Sequence, residues 1–350
     1  MSAQASSSAE LFRHDLQRLP MLPELVEGYR GRHLLLTGGT GFFGLWLLAL
    51  VEELNRRGSG VEVTVVSRDP ARFLALAPHY RACAWLHWLA SDIRHLHELP
   101  GHPVDLILHA AADTSATAHA RPLELFDTIV EGARRVFELA RRDGARVLLT
   151  GSGAQYGRLP DGCGVSESFS GACISNSASS AYAEAKRAQE TLGAIYAHNH
   201  GIDVIMARCF AFSGPGLPLE AHFAIGNFVR DALYADKIVL NSAGQAVRSY
   251  LHGADLAVWL LALLLRGERG QVYNVGSDQA ISIVDLAHLV AERVAPGKDV
   301  RVLGAVNDIG RSFYVPDIRR AQALGVEVWT PLVHSIDSMV RWARLTSAKQ

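Results

Sequence analysis

The sequence of 350 residues lacks several features that would place it in a specialised class of protein. Its 34 basic and 35 acidic side chains give a formal net charge of -1 at pH 7, so no surplus of positive charge is available to neutralise the phosphates of a nucleic acid. Its longest apolar runs, residues 45–51 and 256–265, are shorter than the ~18 residues of a membrane helix. We therefore predict a soluble protein that binds neither nucleic acid nor a membrane.

Cysteine is also scarce. The four cysteines form no CxxC pair and lie near no histidine cluster with zinc-ligand spacing, so we predict free thiols and no metal site. The first residues, MSAQASSSAELFRHD, lack the apolar segment behind basic residues that marks a secretory leader. The expected location is therefore the cytoplasm.

Apolar side chains, in contrast, make up 49% of the sequence and suffice for a large core. After residue 30, short apolar runs alternate with longer amphipathic segments, a pattern that predicts parallel strands joined by helices. The predicted strands are residues 33–37, 61–67, 85–90, 104–109, 146–150 and 204–209. The predicted helices include residues 42–57, 122–142 and 179–200. We therefore expect an α/β fold built on a doubly wound parallel sheet.

A glycine-rich segment, TGGTGFFG, lies between the first predicted strand and the helix after it. At this position a Rossmann-type, dinucleotide-binding fold makes a tight turn and presents a helix N-terminus to a pyrophosphate. The residues expected to make this contact are Gly38, Thr40, Gly41, Phe42, Phe43 and Gly44. The alternative is a turn with a purely structural role. No GKS or GKT follows, which disfavours a P-loop.

The end of the second predicted strand, VTVVSRDP, is where such a fold contacts the adenosine ribose. Ser67 lies there, 23 positions after Gly44, and Arg68 follows it. A guanidinium matches a 2′-phosphate in charge and in its fork of donors, so NADP(H) is favoured as the cofactor. NAD(H) remains the alternative, with Arg68 solvated and Asp69 bound to the ribose.

Three side chains suit proton transfer to or from an alcohol or a carbonyl. Tyr182 and Lys186 stand four positions apart in SSAYAEAKRAQETL and so share one face of a helix. Ser152 follows the fifth predicted strand, at the edge where parallel strands present a site. A nearby ammonium and a positively charged nicotinamide favour the tyrosinate, which makes Tyr182 a usable acid/base at neutral pH. The candidate catalytic residues are therefore Ser152, Tyr182 and Lys186.

Six motifs occur in order along the chain: TGGTGFFG, HAAADTS, GSGAQYG, YAEAK, RCFAFSGPG and RSYLHGADLA. Over residues 31–330 the sequence thereby resembles the extended short-chain dehydrogenase/reductase family, in its nucleotide-sugar epimerase, dehydratase and reductase branch. The resemblance implies that Tyr182 is the acid/base and that Lys186 holds the nicotinamide ribose. The further cofactor contacts that it implies are Asp92 near the adenine, His109, Ala110 and Ala111 beside the ribose, and also Ile93 and Cys209.

The same resemblance implies where the substrate binds. Arg248, in RSYLH, would contact the diphosphate of a sugar nucleotide, and Arg311, in GRSFYVPD, is the match for a second such arginine. Surface ion pairs with neighbouring carboxylates are the alternative for both. Thr114 and Asn227 complete the predicted substrate contacts. His222 lies in the same region but is more typical of a histidine at a helix start.

Two departures from the family pattern bear on the reaction. Ile129 stands three residues before Gly132, where the family commonly has an asparagine, so proton relay through that helix is not supported. Gly153, Ala154 and Gln155 stand where the 4,6-dehydratases and decarboxylases carry acids after the catalytic serine. Loss of water from a sugar needs an acid and a base beside the tyrosine, so dehydration is disfavoured.

The predicted function is therefore a redox reaction on a nucleotide-activated hexose, with reduction of an NDP-4-keto-6-deoxyhexose by NADPH as the leading hypothesis. The alternatives are an NDP-sugar epimerase with tightly bound NAD, a 4,6-dehydratase and a non-catalytic cofactor-binding protein. We expect residues 1–30 to form a serine-rich tail and a short helix, residues 31–210 an NAD(P)-binding domain, and residues 211–350 mainly a smaller substrate-binding lobe. Segment 253–280 is a candidate to belong to the NAD(P)-binding domain although it follows residue 210. We also expect a homodimer.

Overall fold

A computed structural model describes residues 3–99, 101–113, 115–221, 223–304 and 312–347, with residues 3–8 described by their backbone. Its helices are α1 Ala3–Leu16, α2 Leu22–Gly28, α3 Phe42–Arg56, α4 Pro70–Leu76, α5 Ala116–His119, α6 Pro122–Asp143, α7 Ala181–His200, α8 Ala224–Tyr234, α9 Gly253–Arg266, α10 Ile283–Val294, α11 Arg319–Gln322 and α12 Leu332–Ser347. Short 3-10 turns cover Pro78–Ala82, Ile93–His95, Gly153–Tyr156 and Ala178–Ser180.

The strands are β1 His33–Thr37, β2 Glu62–Ser67, β3 Leu86–Ala90, β4 Leu106–His109, β5 Arg146–Ser152, β6 Val204–Cys209, β7 Phe212–Ser213, β8 Lys237–Leu240, β9 Val247–Arg248, β10 Leu251–His252, β11 Val272–Val275, β12 Ile281–Ser282, β13 Asp299–Val302 and β14 Phe313–Tyr314.

The central element is a seven-stranded sheet in the order β11-β6-β5-β4-β1-β2-β3, with every neighbouring pair parallel. This confirms the predicted doubly wound α/β fold. Its strands are apolar because helices cover both faces of the sheet, as the fully buried Leu35 and Leu36 of β1 illustrate. The seventh strand, β11, is reached through α9, whose residues are buried along almost its whole length.

The strand order reverses between β1 and β4, and there the carboxyl ends of neighbouring strands face a common crevice. The glycine-rich turn follows β1, residues 110–113 follow β4, and Ser152 ends β5. Residues that are far apart in the sequence therefore meet along one edge of the sheet.

A second apolar cluster lies beyond the sheet and is built from α8, α10 and α12 with the paired strands β8 and β13. Ile225, Val229, Leu286 and Ile336 are at its centre and are fully buried. Strands β9, β12 and β14 form a separate small sheet, in which Tyr314 is paired with Arg248. This pairing brings the side chains of Arg248 and Tyr314 close to each other.

The N-terminal segment differs from the expected serine-rich tail, because Ala3–Leu16 forms a helix. The ring of Phe12 packs edge-on against Trp46 of α3 at 4.5 Å and against Trp342 of α12 at 5.4 Å, measured between ring centroids. Leu16 is fully buried. Tertiary packing of one apolar face stabilises a helix that its serine-rich composition does not favour.

Among the described residues, no helix combines the length and the apolar character that crossing a bilayer demands.

Candidate active site

The turn after β1 has the geometry of a phosphate cradle. Gly38 has a φ of 74°, and a Cβ there would collide with the carbonyl oxygen of Ala110. A Cβ on Gly44 would collide with the backbone of Gly39. The first turn of α3 can therefore approach the glycine-rich turn this closely only because position 44 is glycine. Gly41 precedes α3 and offers no side-chain acceptor to the first amides of that helix. These amides are suited to bind the pyrophosphate of a dinucleotide.

The wall beside this turn contains a buried polar atom without a partner. His109 lies at the end of β4, and its Nδ1 is 2.7 Å from the hydroxyl of Thr37. Burial, together with the nearby charge of Lys186, lowers the pKa of His109 to about 3, so the ring is neutral. Its Nε2 has no hydrogen-bond partner among the described residues. Such an orphaned atom fits a site that a ligand completes.

At the ribose end, Arg68 is exposed and its Nη2 lies 3.8 Å from Oδ2 of Asp113, across the crevice. Asp69 has a structural task, since its Oδ1 accepts the backbone amide of Arg72 and caps α4. The hydroxyl of Ser67 accepts the amide of Asp69 at 3.3 Å. Arg68 is thus an exposed charged group at this end of the crevice, with Asp113 as a distant partner.

Asp92 and Ile93 follow β3. Both carboxylate oxygens of Asp92 accept hydrogen bonds from the guanidinium of Arg94, at 3.0 and 2.8 Å, and these bonds lower its pKa to about 2. The side chain of Ile93 is buried in the core, where a Cβ on Gly132 would lie 2.9 Å from it. Only the backbone of Ile93 is therefore placed to meet a cofactor.

Ser152 and Tyr182 lie side by side. The Ser152 hydroxyl oxygen accepts the amide of Ala154 at 3.1 Å, and the hydroxyl lies within hydrogen-bond reach of the Tyr182 phenol. Burial raises the pKa of Tyr182 to about 12, against the opposing effect of the adjacent Ser152. The phenol is therefore protonated at neutral pH in the absence of a bound positive charge.

Lys186 is anchored one helical turn from Tyr182. Its Nζ donates to the carbonyl oxygen of Thr150 at 2.7 Å, and the side chain is buried. Burial lowers its pKa to about 8. Cys209 pairs in register with Ser152 across β5 and β6, and burial raises the pKa of its thiol to about 12. A neutral thiol and an anchored ammonium therefore lie beneath Tyr182.

A half-buried ion pair supports the turn that carries Ser152. Gln155 accepts the backbone amide of Ser152 at 3.1 Å and donates to Glu190 at 2.6 Å. Arg208 binds both carboxylate oxygens of Glu190, at 3.1 and 2.5 Å, and stacks on the ring of Tyr156 at 4.5 Å. Gln155 thus faces this network. Neither Glu190 nor Arg208 was identified from the sequence.

Tyr314 is a site residue that the sequence interpretation missed, although it lies three positions after Arg311. Its hydroxyl would be 2.6 Å from a Cβ on Gly153, and its ring lies 5.7 Å from the guanidinium carbon of Arg248. Burial raises the pKa of Tyr314, while Ser152 lowers it. The phenol thus takes the space that a side chain at position 153 would need. The sequence signal that could have identified this residue is the tyrosine of the segment GRSFYVPD, which was searched only for its arginine.

The predicted substrate residues are only partly within the described chain. Arg248 is half-buried, and its Nη1 donates to the backbone carbonyls of Val247 and Ser312 at 2.8 and 2.9 Å. Asn227, on α8, has a buried Oδ1 without a hydrogen-bond partner in the described part of the chain. Thr114 and Arg311 lie outside the described residues, as does His222.

The side of Tyr182 that faces α6 is apolar, and one histidine of α5 lies beside the ring. Ile129 is fully buried in a small cluster with Leu125 and Ala185, and Tyr182 packs against it. The imidazole of His119 lies 5.5 Å from the Tyr182 ring, measured between centroids. Position 129 of α6, where the family commonly has an asparagine, therefore offers no amide to Tyr182.

The sequence model described as the NAD dependent epimerase/dehydratase family matches residues 34–276. The chain belongs to this family. This epimerase/dehydratase-family protein is 30% identical over 344 residues to UDP-glucuronic acid decarboxylase 1 of Xenopus tropicalis, an alignment that covers 95% of this chain and 77% of that one.

Solved structures agree with the fold of this epimerase/dehydratase-family protein. UDP-glucose 4-epimerase from Thermotoga maritima, solved with UDP-glucose, superposes with a TM-score of 0.77 at 20% identity, covering 90% of this chain and 99% of that one. The dTDP-glucose 4,6-dehydratase of Streptomyces venezuelae, solved with NAD, superposes with a TM-score of 0.77 at 24% identity, covering 91% and 98%. At these identities the likeness establishes the fold.

Proposed function

We propose that this protein reduces the ketone of an NDP-4-keto-6-deoxyhexose with NADPH. The observation that carries the proposal is the placement of the Tyr182 phenol within hydrogen-bond reach of the Ser152 hydroxyl, whose oxygen accepts the amide of Ala154. A ketone oxygen that accepts a hydride on its carbon must receive a proton, and both groups are donors. The bound dinucleotide supplies the hydride.

Each of the three central side chains has a defined task. Tyr182 gives its proton to the ketone oxygen, and Ser152 donates a hydrogen bond to the same oxygen as charge develops. Lys186, held by the carbonyl of Thr150, stabilises the tyrosinate that remains and binds the nicotinamide ribose. The half-buried Arg248 and the unpartnered Oδ1 of Asn227 bind the nucleotide sugar.

The proposal disfavours dehydration and decarboxylation, despite the decarboxylase names among the relatives. Gly153, Ala154 and Gln155 supply no carboxyl group after Ser152, and Gln155 is hydrogen-bonded to Glu190 behind the site. Tyr314 occupies the space next to Gly153. With no second acid beside Tyr182 at these positions, the arrangement supports simple proton donation better than loss of water.

An epimerase with retained NAD is the second candidate, and the observation that favours it is Asp113. A carboxylate 3.8 Å from Arg68 offsets the positive charge there and is suited to the ribose hydroxyls of NAD. Binding of NADPH requires that the exposed Arg68 leaves Asp113 for the 2′-phosphate, which its weak contact permits.

Arg68→Ala tests the choice of cofactor. It should weaken NADPH binding by about ten- to a hundredfold, the loss of ~1.5–3 kcal/mol for a hydrogen bond to a charged group, and leave NADH binding nearly unchanged. The exposed Arg72 offers a matched control, since Arg72→Ala should alter neither affinity. An equal loss for both cofactors would remove Arg68 from phosphate recognition.

Deuterium transfer tests the reaction. With NADPH labelled at the reactive nicotinamide position, the product sugar should carry one deuterium at the former ketone carbon for each NADPH consumed. Release of carbon dioxide, loss of water, or return of the label to the cofactor would contradict the proposal. A homodimer and a cytoplasmic location remain predictions.

A further inference from the structure

The proposed reduction needs groups from two separate elements to meet at one oxygen atom. Ser152 ends β5, whereas Tyr182 and Lys186 lie on α7. Lys186 is tied to β5 through the carbonyl of Thr150, two residues before Ser152. This bond holds the helix against the strand, so the turn that begins at Ser152 must be held by other contacts.

The backbone of Ser152 is held by a side chain of its own turn. The Ser152 amide donates to Oε1 of Gln155 at 3.1 Å, and the Ser152 hydroxyl oxygen accepts the amide of Ala154 at 3.1 Å. Gln155 is almost fully buried, with 2% of its surface exposed. The position of the Gln155 side chain therefore determines where the serine hydroxyl lies.

Glu190 determines which end of the Gln155 amide faces Ser152. The Nε2 of Gln155 donates to Oε2 of Glu190 at 2.6 Å. A carboxylate only accepts, so the amide nitrogen must face Glu190 and the amide oxygen is turned toward Ser152. Arg208 donates to both carboxylate oxygens of Glu190 and thereby holds the carboxylate in place.

Glu190 lies on the same face of α7 as the proposed proton donor. It follows Lys186 by four positions and Tyr182 by eight, the spacing that aligns side chains along one side of a helix. Arg187, also on α7, donates to the backbone carbonyl of Gln155 at 3.1 Å. One helix thus carries the phenol and holds the serine turn at two points.

We propose that Glu190 is a positioning residue of the reduction that acts through Gln155 to hold the Ser152 hydroxyl in register with the phenol of α7. The inference rests on the proposed function, because it takes from there the tasks of the serine and the tyrosine. Glu190 itself transfers no proton. Loss of the register should lower kcat and leave binding of the nucleotide sugar unchanged, since the proposed sugar contacts lie on α8 and β9.

Glu190→Gln tests this role with a side chain of nearly the same size. The guanidinium of Arg208 only donates and should take the one remaining oxygen, so the new amide nitrogen faces Gln155. Gln155 then turns its oxygen to that nitrogen and presents its own nitrogen to the amide of Ser152, donor against donor. We expect kcat for ketone reduction to fall about tenfold, the factor of one charge-assisted hydrogen bond, with NADPH affinity and the KM for the nucleotide sugar unchanged within about twofold.

A double-mutant cycle separates positioning from a general weakening of the fold. In the Ser152→Ala background the hydroxyl is absent, so Glu190→Gln should lower kcat there by less than about twofold. Gln155→Leu removes the same link by another route and should show the same pattern, which guards against failure of Glu190→Gln to fold. Glu138→Gln is the matched control, because this carboxylate also accepts from a neutral side chain and an arginine, and it should leave kcat unchanged in both backgrounds.

Hydrogen exchange gives a measurement that does not depend on the reaction. The Ser152 amide should exchange at least about tenfold faster in Glu190→Gln than in the wild type, relative to the Leu148 amide of the same strand, and should not change in Glu138→Gln. A wild type that reduces no 4-keto sugar would refute the proposed function, and the exchange rates would still decide the link from Glu190 to Ser152. An unchanged kcat in Glu190→Gln, an equal loss of kcat in the wild-type and Ser152→Ala backgrounds, or an unchanged exchange rate of the Ser152 amide would overturn the inference.

Discussion

Replacing Tyr182 by phenylalanine removes one oxygen atom from the centre of the candidate site. The ring packs against the cluster of Leu125, Ile129 and Ala185, and Phe keeps that contact. The lost hydroxyl lies beside Ser152. Stability should therefore fall by no more than ~0.5–1.5 kcal/mol, the net value of one hydrogen bond.

The effect on turnover should be far larger than the effect on stability. The phenol of Tyr182, with a pKa of about 12, holds the proton that the product alcohol needs. General acid catalysis by a positioned group contributes ~10²–10⁴-fold, so kcat should fall by that factor, equivalent to ~2.7–5.4 kcal/mol. Binding of the dinucleotide should change little, since Lys186 remains anchored to Thr150.

The assay is the decrease of the nicotinamide absorbance with a 4-keto nucleotide sugar, alongside cofactor titration and urea unfolding. Tyr196 offers a matched control on the same helix, because it is also buried and donates its hydroxyl proton to a carboxylate, Glu138. Tyr196→Phe should lower stability with little change in kcat. If Tyr182→Phe kept more than about half of the wild-type rate, the proton-donor assignment would be refuted.

Three further outcomes follow from the same geometry. Arg248→Ala should raise the KM for a nucleotide sugar by about one to two orders of magnitude, and an unchanged KM would remove Arg248 from the site. Arg248→Lys should restore binding only in part, because an ammonium cannot make a two-pronged contact. Arg208→Leu leaves the half-buried Glu190 without its partner and should destabilise the fold by ~1.5–3 kcal/mol in urea. Arg293→Leu, which breaks an exposed pair, should cost ~0–1 kcal/mol, and equal losses would contradict the role of the Glu190–Arg208 network. Folding lowers the pKa of Lys186 from 10.5 to about 8, so this side chain makes the unfolded chain bind more protons between these values and contributes a rise of stability with pH. The raised pKa of Cys209 acts in the opposite direction above pH 9, so the measured quantity is the difference in urea stability between the wild type and Lys186→Met. This difference should shift in favour of the wild type as the pH rises from 8 to 10.5, and a difference independent of pH would contradict the buried ammonium.

The sheet and the helix that carries Tyr182 and Lys186 were predictable because their signals are local. Strand β1 reads as a short apolar run, the glycine turn follows at once, and α7 places Tyr182 and Lys186 on one face through its 3.6-residue period. The helix α1 was not predictable in the same way. Its stability comes from Phe12 against Trp46 and Trp342, contacts that depend on distant parts of the chain.

Contacts between distant segments also explain why three residues near the candidate site, Tyr314, Glu190 and Arg208, were not identified from the sequence. Tyr314 reaches Gly153 only through the pairing of β14 with β9, and Glu190 meets Arg208 across α7 and β6. Composition and spacing carry no information about such contacts. The cofactor preference, in turn, depends on the balance of Arg68 and Asp113, which lie on different loops.

The proposed reaction is net reduction of a nucleotide sugar by an exchangeable phosphorylated cofactor. The most direct measurement follows NADPH oxidation and sugar product together, after the purified protein has been checked for retained dinucleotide. We expect one NADPH to be oxidised for each 4-keto-6-deoxy sugar reduced, slow or absent reaction with a 4-hydroxyl nucleotide sugar, and no tightly held NAD. Near-stoichiometric bound NAD with equilibration of a gluco and galacto pair, and no net change in nicotinamide absorbance, would contradict it and establish the epimerase.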